Sequence, residues 1–181
     1  CAFDNVGGLV GYAQNTAITN SFAKTYVLRE LSTSVYAGDI CLVAGAQAYH
    51  VGGFVGYANG VSISKCYSQV NINASYANAV VGGFAGCVDN TSVQNAYSMG
   101  KMLLKDGSSV AGKFAGEVLA NNTLTKFYST IADADINTLS NNGFVGKVSG
   151  ADLSVSQSYH LSSGADAFAL LSDDLKNILT Y

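Results

Sequence analysis

Apolar positions recur along this chain in two short cassettes rather than in long runs. The first cassette sets one apolar anchor among glycines. It occurs five times: Val6-Gly7-Gly8-Leu9-Val10-Gly11, Val51-Gly52-Gly53-Phe54-Val55-Gly56, Val81-Gly82-Gly83-Phe84-Ala85-Gly86, Ala111-Gly112-Lys113-Phe114-Ala115-Gly116 and Asn141-Asn142-Gly143-Phe144-Val145-Gly146. Phe54, Phe84, Phe114 and Phe144 follow one another at intervals of 30 residues, whereas Leu9 precedes Phe54 by 45. The first copy therefore carries an insertion of about 15 residues, placed at Glu30 to Gly45 and expected to project as a loop or extra hairpin.

The second cassette is an aliphatic residue with an aromatic four positions later: Ile18/Phe22, Ile63/Tyr67, Val93/Tyr97, Leu124/Tyr128 and Val155/Tyr159. The middle residues are Asn20, Lys65, Asn95, Lys126 and Gln157, all polar. In a straight strand each would share the apolar face, at a cost for buried charge, so a bend that turns the middle residue outward is expected. Each repeat then reads as strand (53–58), turn, strand (61–64), bend, strand (66–72) and loop. One such unit has too few apolar side chains to offset the ordering of its backbone, about 1–2 kcal/mol per residue. Stacking on identical neighbours buries both faces and pairs the strand edges.

The pattern thus predicts an all-β protein, a parallel β-helix or β-solenoid of about five coils of roughly 30 residues. Three side-chain ladders follow: Leu9/Phe54/Phe84/Phe114/Phe144, Ile18/Ile63/Val93/Leu124/Val155 and Phe22/Tyr67/Tyr97/Tyr128/Tyr159. The motif glycines fit two readings, close packing of a second layer or bends at positive φ. The pattern changes after residue 165. Phe168, Leu171, Leu175, Ile178 and Leu179 fall at helical spacing behind Ser172-Asp173-Asp174. This predicts a solenoid over 1–165 and a helical cap, or the start of a following module, over 166–181.

Composition agrees with short strands and tight turns: 20 glycines, no proline or tryptophan, and only 12% charged residues among 181. A net charge of −3 leaves no basic footprint for nucleic acid. No apolar run approaches the ~20 residues of a membrane-spanning helix. The chain begins with Cys1, which fits a piece cut from a longer protein; a lipid-modified Cys1 is the alternative.

The string GG-[LF]-[VA]-G followed by Asn20-Ser21-Phe22-Ala23, or by Cys66-Tyr67-Ser68, resembles the GLUG repeat. In the fourth and fifth copies Lys113 and Asn142 replace motif glycines. That family occurs in large bacterial surface proteins and in immunoglobulin A-cleaving metalloproteases of streptococci. The resemblance implies a secreted or cell-surface location and a non-catalytic role as adhesin or stalk, linked to neighbouring modules and binding a host glycan or protein. It also allows an accessory repeat region of such a metalloprotease, or a filament or fibre subunit.

Candidate chemistry is sparse. His50 and His160, the two histidines, are far apart in sequence and read as surface or loop residues. There is no HExxH, no CxxC and no Cys/His cluster along the chain, so neither a zinc site nor another cofactor is expected. Asp133, Asp135 and Asn137 begin like a calcium loop, but Thr138 and Phe144 stand where Gly and Glu are needed. The NxS/T acceptors at Asn73, Asn90 and Asn121 read as incidental. Cys66 and Cys87 are expected as buried free thiols, with Cys1–Cys41 the one candidate disulfide. Tyr12 and Tyr57 both follow the last motif glycine, and Tyr36, Tyr49 and Tyr76 lie in or near predicted loops. Exposed tyrosines suit contact with glycan or protein, which makes Tyr12, Tyr57, Tyr36 and Tyr49 the candidate ligand contacts.

Overall fold

The computed structural model describes residues 4–25, 41–45, 47–105, 108–129, 131, 136, 143–150 and 153–160. Within them the protein is all-β, a parallel β-solenoid whose strands stack in four ladders. The first ladder holds β1 (Asn5–Gly7), β6 (His50–Gly52), β10 (Val80–Gly82) and β14 (Val110–Gly112). The second holds β2 (Val10–Gln14), β7 (Val55–Asn59), β11 (Ala85–Asp89), β15 (Ala115–Val118) and β17 (Val145–Val148). In the third, β3 (Ala17–Thr19) and β4 (Phe22–Lys24) both pair with β8 (Ser62–Gln69), followed by β12 (Ser92–Met99), β16 (Asn122–Ser129) and β18 (Leu153–His160). The fourth is β5 (Cys41–Ala44), β9 (Asn71–Ala74) and β13 (Met102–Leu104), with Ile136 bridged to Met102. About three turns are complete, beginning at β6, β10 and β14, and partial turns flank them.

The glycine cassette is a tight turn between two strand ends rather than one strand. The strand expected over 53–58 starts only at Val55, because the chain bends at Gly53-Phe54 between β6 and β7. Two successive amides, Phe54 N and Val55 N, donate to the same carbonyl, Phe84 O, at 2.8 and 3.1 Å. Phe84 N and Ala85 N repeat this on Phe114 O, and Phe114 N and Ala115 N on Phe144 O. So tight a corner brings backbone against backbone. A Cβ on Gly52 would lie inside the contact radius of the Val55 carbonyl oxygen, and one on Gly82 inside that of Ala85. Among the described glycines only Gly60 and Gly100 have positive φ, so close packing is what the motif glycines serve.

The corner drives the phenylalanine inward. Phe54, Phe84 and Phe114 are fully buried and stack with centroids 4.7 and 4.8 Å apart and planes within 12°, close to the spacing of adjacent strands. Leu9, the equivalent residue of the first copy, is 46% exposed, and Phe144 is only partly buried. The ladder thus loses burial toward its ends, where the described chain supplies no further rung to cover it. Ile18, Ile63, Val93, Leu124 and Val155 are in register, as are Phe22, Tyr67, Tyr97, Tyr128 and Tyr159. Phe22 is itself 52% exposed and lies flat on Tyr67, 5.1 Å away.

The bend inside the third ladder is made by left-handed residues: Asn20, Lys65, Asn95 and Lys126 have φ of 50–54°. Lys65 and Asn20 are exposed, but Asn95 is 8% exposed and its Oδ1 lacks a partner among the described residues, so the outward rule fails there. A second left-handed column, Asn15, Gly60, Asn90 and Asn121, turns the chain between the second and third ladders. The insertion needs a correction. Its end is not a projecting loop, because Cys41–Ala44 is a rung of the fourth ladder, paired with Asn71–Ala74. Residues 30–40, with Tyr36, lie outside the described residues, as do Cys1 of the candidate disulfide, the Asp133/Asp135 loop and the helix expected over 166–181.

Candidate functional site

In the second ladder the residue after the last motif glycine forms a column: Tyr12, Tyr57, Cys87, Glu117 and Lys147, in register from β2 to β17. Parallel in-register pairing makes residues 30 apart in sequence direct neighbours in space. The tyrosines begin the column, the buried thiol of Cys87 is its centre, and the charged pair ends it.

His50, first residue of β6, sits beside this column. Its ring lies 5.2 Å from that of Tyr57 and 4.6 Å from that of Tyr49, and Tyr57 meets Tyr12 edge-on at 5.5 Å. Two of the four candidate tyrosines, Tyr49 and Tyr57, therefore flank one histidine, and Tyr12 packs on Tyr57. Tyr12 and Tyr49 are 47% and 40% exposed. Next to them an open depression of about 510 Å³ is lined by Asp4, Gln47, Tyr49 and Tyr76.

The ligating atoms of His50, Cys87 and Glu117 all lie within 4.8 Å of one another. This overturns two expectations. His50 is a half-buried strand residue, not a loop residue, and a Cys/His cluster does form, assembled by stacking rather than by proximity in sequence. His50 Nδ1 lies 2.9 Å from Oδ1 of Asn5, its register partner on β1. A carbonyl oxygen only accepts, so Nδ1 carries the proton and the lone pair is on Nε2. Burial holds the imidazole pKa below its usual value, against the pull of Glu117 and Asp4.

Burial also pushes the Cys87 thiol up to about 12, helped by Glu117 and Asp89. A protonated, buried thiol is the opposite of an activated nucleophile. Burial raises the Glu117 carboxyl too, but the Ser149 hydroxyl and Lys147 outweigh it and the net pKa is lowered. Lys147 Nζ lies 3.1 Å from Glu117 Oε1, and the Ser149 hydroxyl donates to the same oxygen. Tyr57 is pushed up to about 12, first by burial, and its hydroxyl reaches Asp89 Oδ2 at 3.4 Å.

The two buried thiols differ. Cys66 Sγ donates to Ser64 O at 3.2 Å and approaches Ile18 O at 3.6 Å, the satisfied state of a structural cysteine. Cys87 is equally free of disulfide, and among the described residues its sulfur makes no hydrogen bond. The sequence held the signal for the column, since extending the Tyr12/Tyr57 equivalence by 30 residues gives Cys87, Glu117 and Lys147. It held none for His50, which comes from a different ladder.

No curated protein matches the chain. The family model of the GLUG motif matches residues 5–25 and 47–73. These stretches contain β1 to β4 and β6 to most of β9, and the rungs of β10 to β13 repeat the second of them in register. The glycine corner and the bent third-ladder strand lie within these matched stretches, so the chain carries GLUG repeats at residues 5–25 and 47–73.

Proposed function

We propose that the chain is a non-catalytic repeat module of a secreted or cell-surface bacterial protein, acting as an adhesin or stalk and binding a host glycan or protein. The observation that carries this reading is the aromatic cluster of Tyr49 and Tyr57 on His50, extended by Tyr12 on Tyr57, beside an open depression. Flat aromatic rings with polar edges suit sugar faces and protein hot spots. The parallel ladders support the stalk role: each coil adds about 4.8 Å of stiff, fully paired backbone. On this reading the partial turns at either end complete a rod of about five coils, joined to neighbouring modules of a longer chain.

Glycan and host-protein arrays probed with the chain test the reading. A ligand whose signal falls at least tenfold in Tyr49→Ala supports the adhesin role, and no ligand on either array leaves only the spacer. The GLUG match also suits an accessory region of an immunoglobulin A-type metalloprotease, which an HExxH motif in the flanking gene sequence would favour. A filament or fibre subunit would show as large species in light scattering.

A further inference from the structure

We propose that His50, Cys87 and Glu117 form a binding site for a divalent transition cation of the zinc class. Each ligand comes from a different turn: His50 from β6, Cys87 from β11 and Glu117 from β15. Imidazole, thiolate and carboxylate are the three donor types that zinc accepts, and three protein ligands leave a fourth position for water or an incoming group.

The surroundings are arranged as such a site needs. The Asn5 contact holds the His50 proton on Nδ1 and leaves Nε2 to bind, the outer-sphere partner that ligating histidines usually have. Lys147 and Ser149 both engage Glu117 Oε1, so Oε2 is left to bind. Cys87 Sγ has no competing hydrogen bond among the described residues. On binding, the thiol gives its proton to solvent, and one thiolate plus one carboxylate balance the 2+ charge. Tetrahedral ligands at 2.0–2.3 Å from zinc are roughly 3.3–3.7 Å apart, so the 4.8 Å cluster closes by a side-chain adjustment of about 1 Å.

The test is a titration of the reduced, metal-free full chain with Co²⁺, followed by Zn²⁺. One equivalent of Co²⁺ is expected to give a thiolate-to-cobalt charge-transfer band that Zn²⁺ abolishes, and Zn²⁺ is expected to raise the melting temperature. Cys87→Ser should remove the band, while His50→Gln and Glu117→Gln should weaken Co²⁺ binding at least tenfold. Cys66→Ser and the Cys1→Ser/Cys41→Ser double variant should keep the band. No band in the parent chain, a band that survives Cys87→Ser, or a band lost with Cys1 and Cys41 would each overturn the proposal. If Cys87→Ser fails to fold by circular dichroism, Glu117→Gln decides: unchanged Co²⁺ affinity there overturns it.

Discussion

At the residue scale the glycines and the left-handed lysines make opposite demands. Gly82 has no room for a methyl group, because its Cβ would collide with the Ala85 carbonyl and the Gly116 amide, both backbone. Gly82→Ala is expected to cost several kcal/mol, on the order of 3 or more, since neither neighbour can rotate away. Gly45, with nothing within 4 Å of its Cβ position, is the control, and Gly45→Ala should be near neutral in urea unfolding. Lys65, at φ 54°, has room but the wrong conformation for a side chain. Lys65→Gly should stabilise by up to about 1 kcal/mol, and Lys65→Val should destabilise by about 1–2, again read from urea midpoints. The sequence showed that a bend must fall at this position, because a polar residue could not stay on the apolar face. It left the role of the glycines open, since close approach and positive φ favour the same residue.

At the element scale the ladders set the energetics. Phe84 is stacked on both sides by Phe54 and Phe114, and Phe84→Ala should cost about 3–5 kcal/mol. Leu9→Ala, at the exposed end of the same column, should cost under about 1 kcal/mol by thermal melting. The Glu117 rung adds a pH dependence. Its folded pKa lies below the usual 4.5, so its contribution is complete above that value and is lost as pH falls through the folded pKa. Facing it are Lys147, Ser149, His50 and Cys87. Glu117→Gln should therefore unfold at lower urea than the parent at pH 7, and the gap should close on acidification below 4.5. Strand existence was legible from the cassettes, but strand boundaries were not. The corner at Gly53-Phe54 depends on a carbonyl of the next turn, Phe84 O, which no local pattern encodes.

At the scale of the whole molecule, stability is a sum of turn-to-turn interfaces, and burial falls off toward the first and last described turns. The middle turns bury Val51, Phe84, Leu124 and Ile131 almost completely, whereas Leu9, Tyr12 and Phe22 of the first turn are about half exposed. Amide hydrogen exchange should be slowest over 51–129 and faster over 5–24 and 145–160; uniform protection along the chain would contradict this. Residues separated by one period in sequence were legible as neighbours once the repeat was aligned. Those from different ladders, such as His50 and Cys87, were not, because their meeting depends on how a turn closes.

The cluster of His50, Cys87 and Glu117 draws one residue from each of three successive turns. Gaining or losing a whole copy is the commonplace way a tandem gene changes length, and the scaffold tolerates it, since any turn can stack on any other. The cluster does not. An added turn with no histidine at the position of His50, slipped between β6 and β11, would move His50 about 4.8 Å further from the thiol while every backbone pair stayed satisfied. The rod depends on how many turns stack, whereas the trio depends on which turns are adjacent, so scaffold and surface chemistry answer to different features of the same repeat.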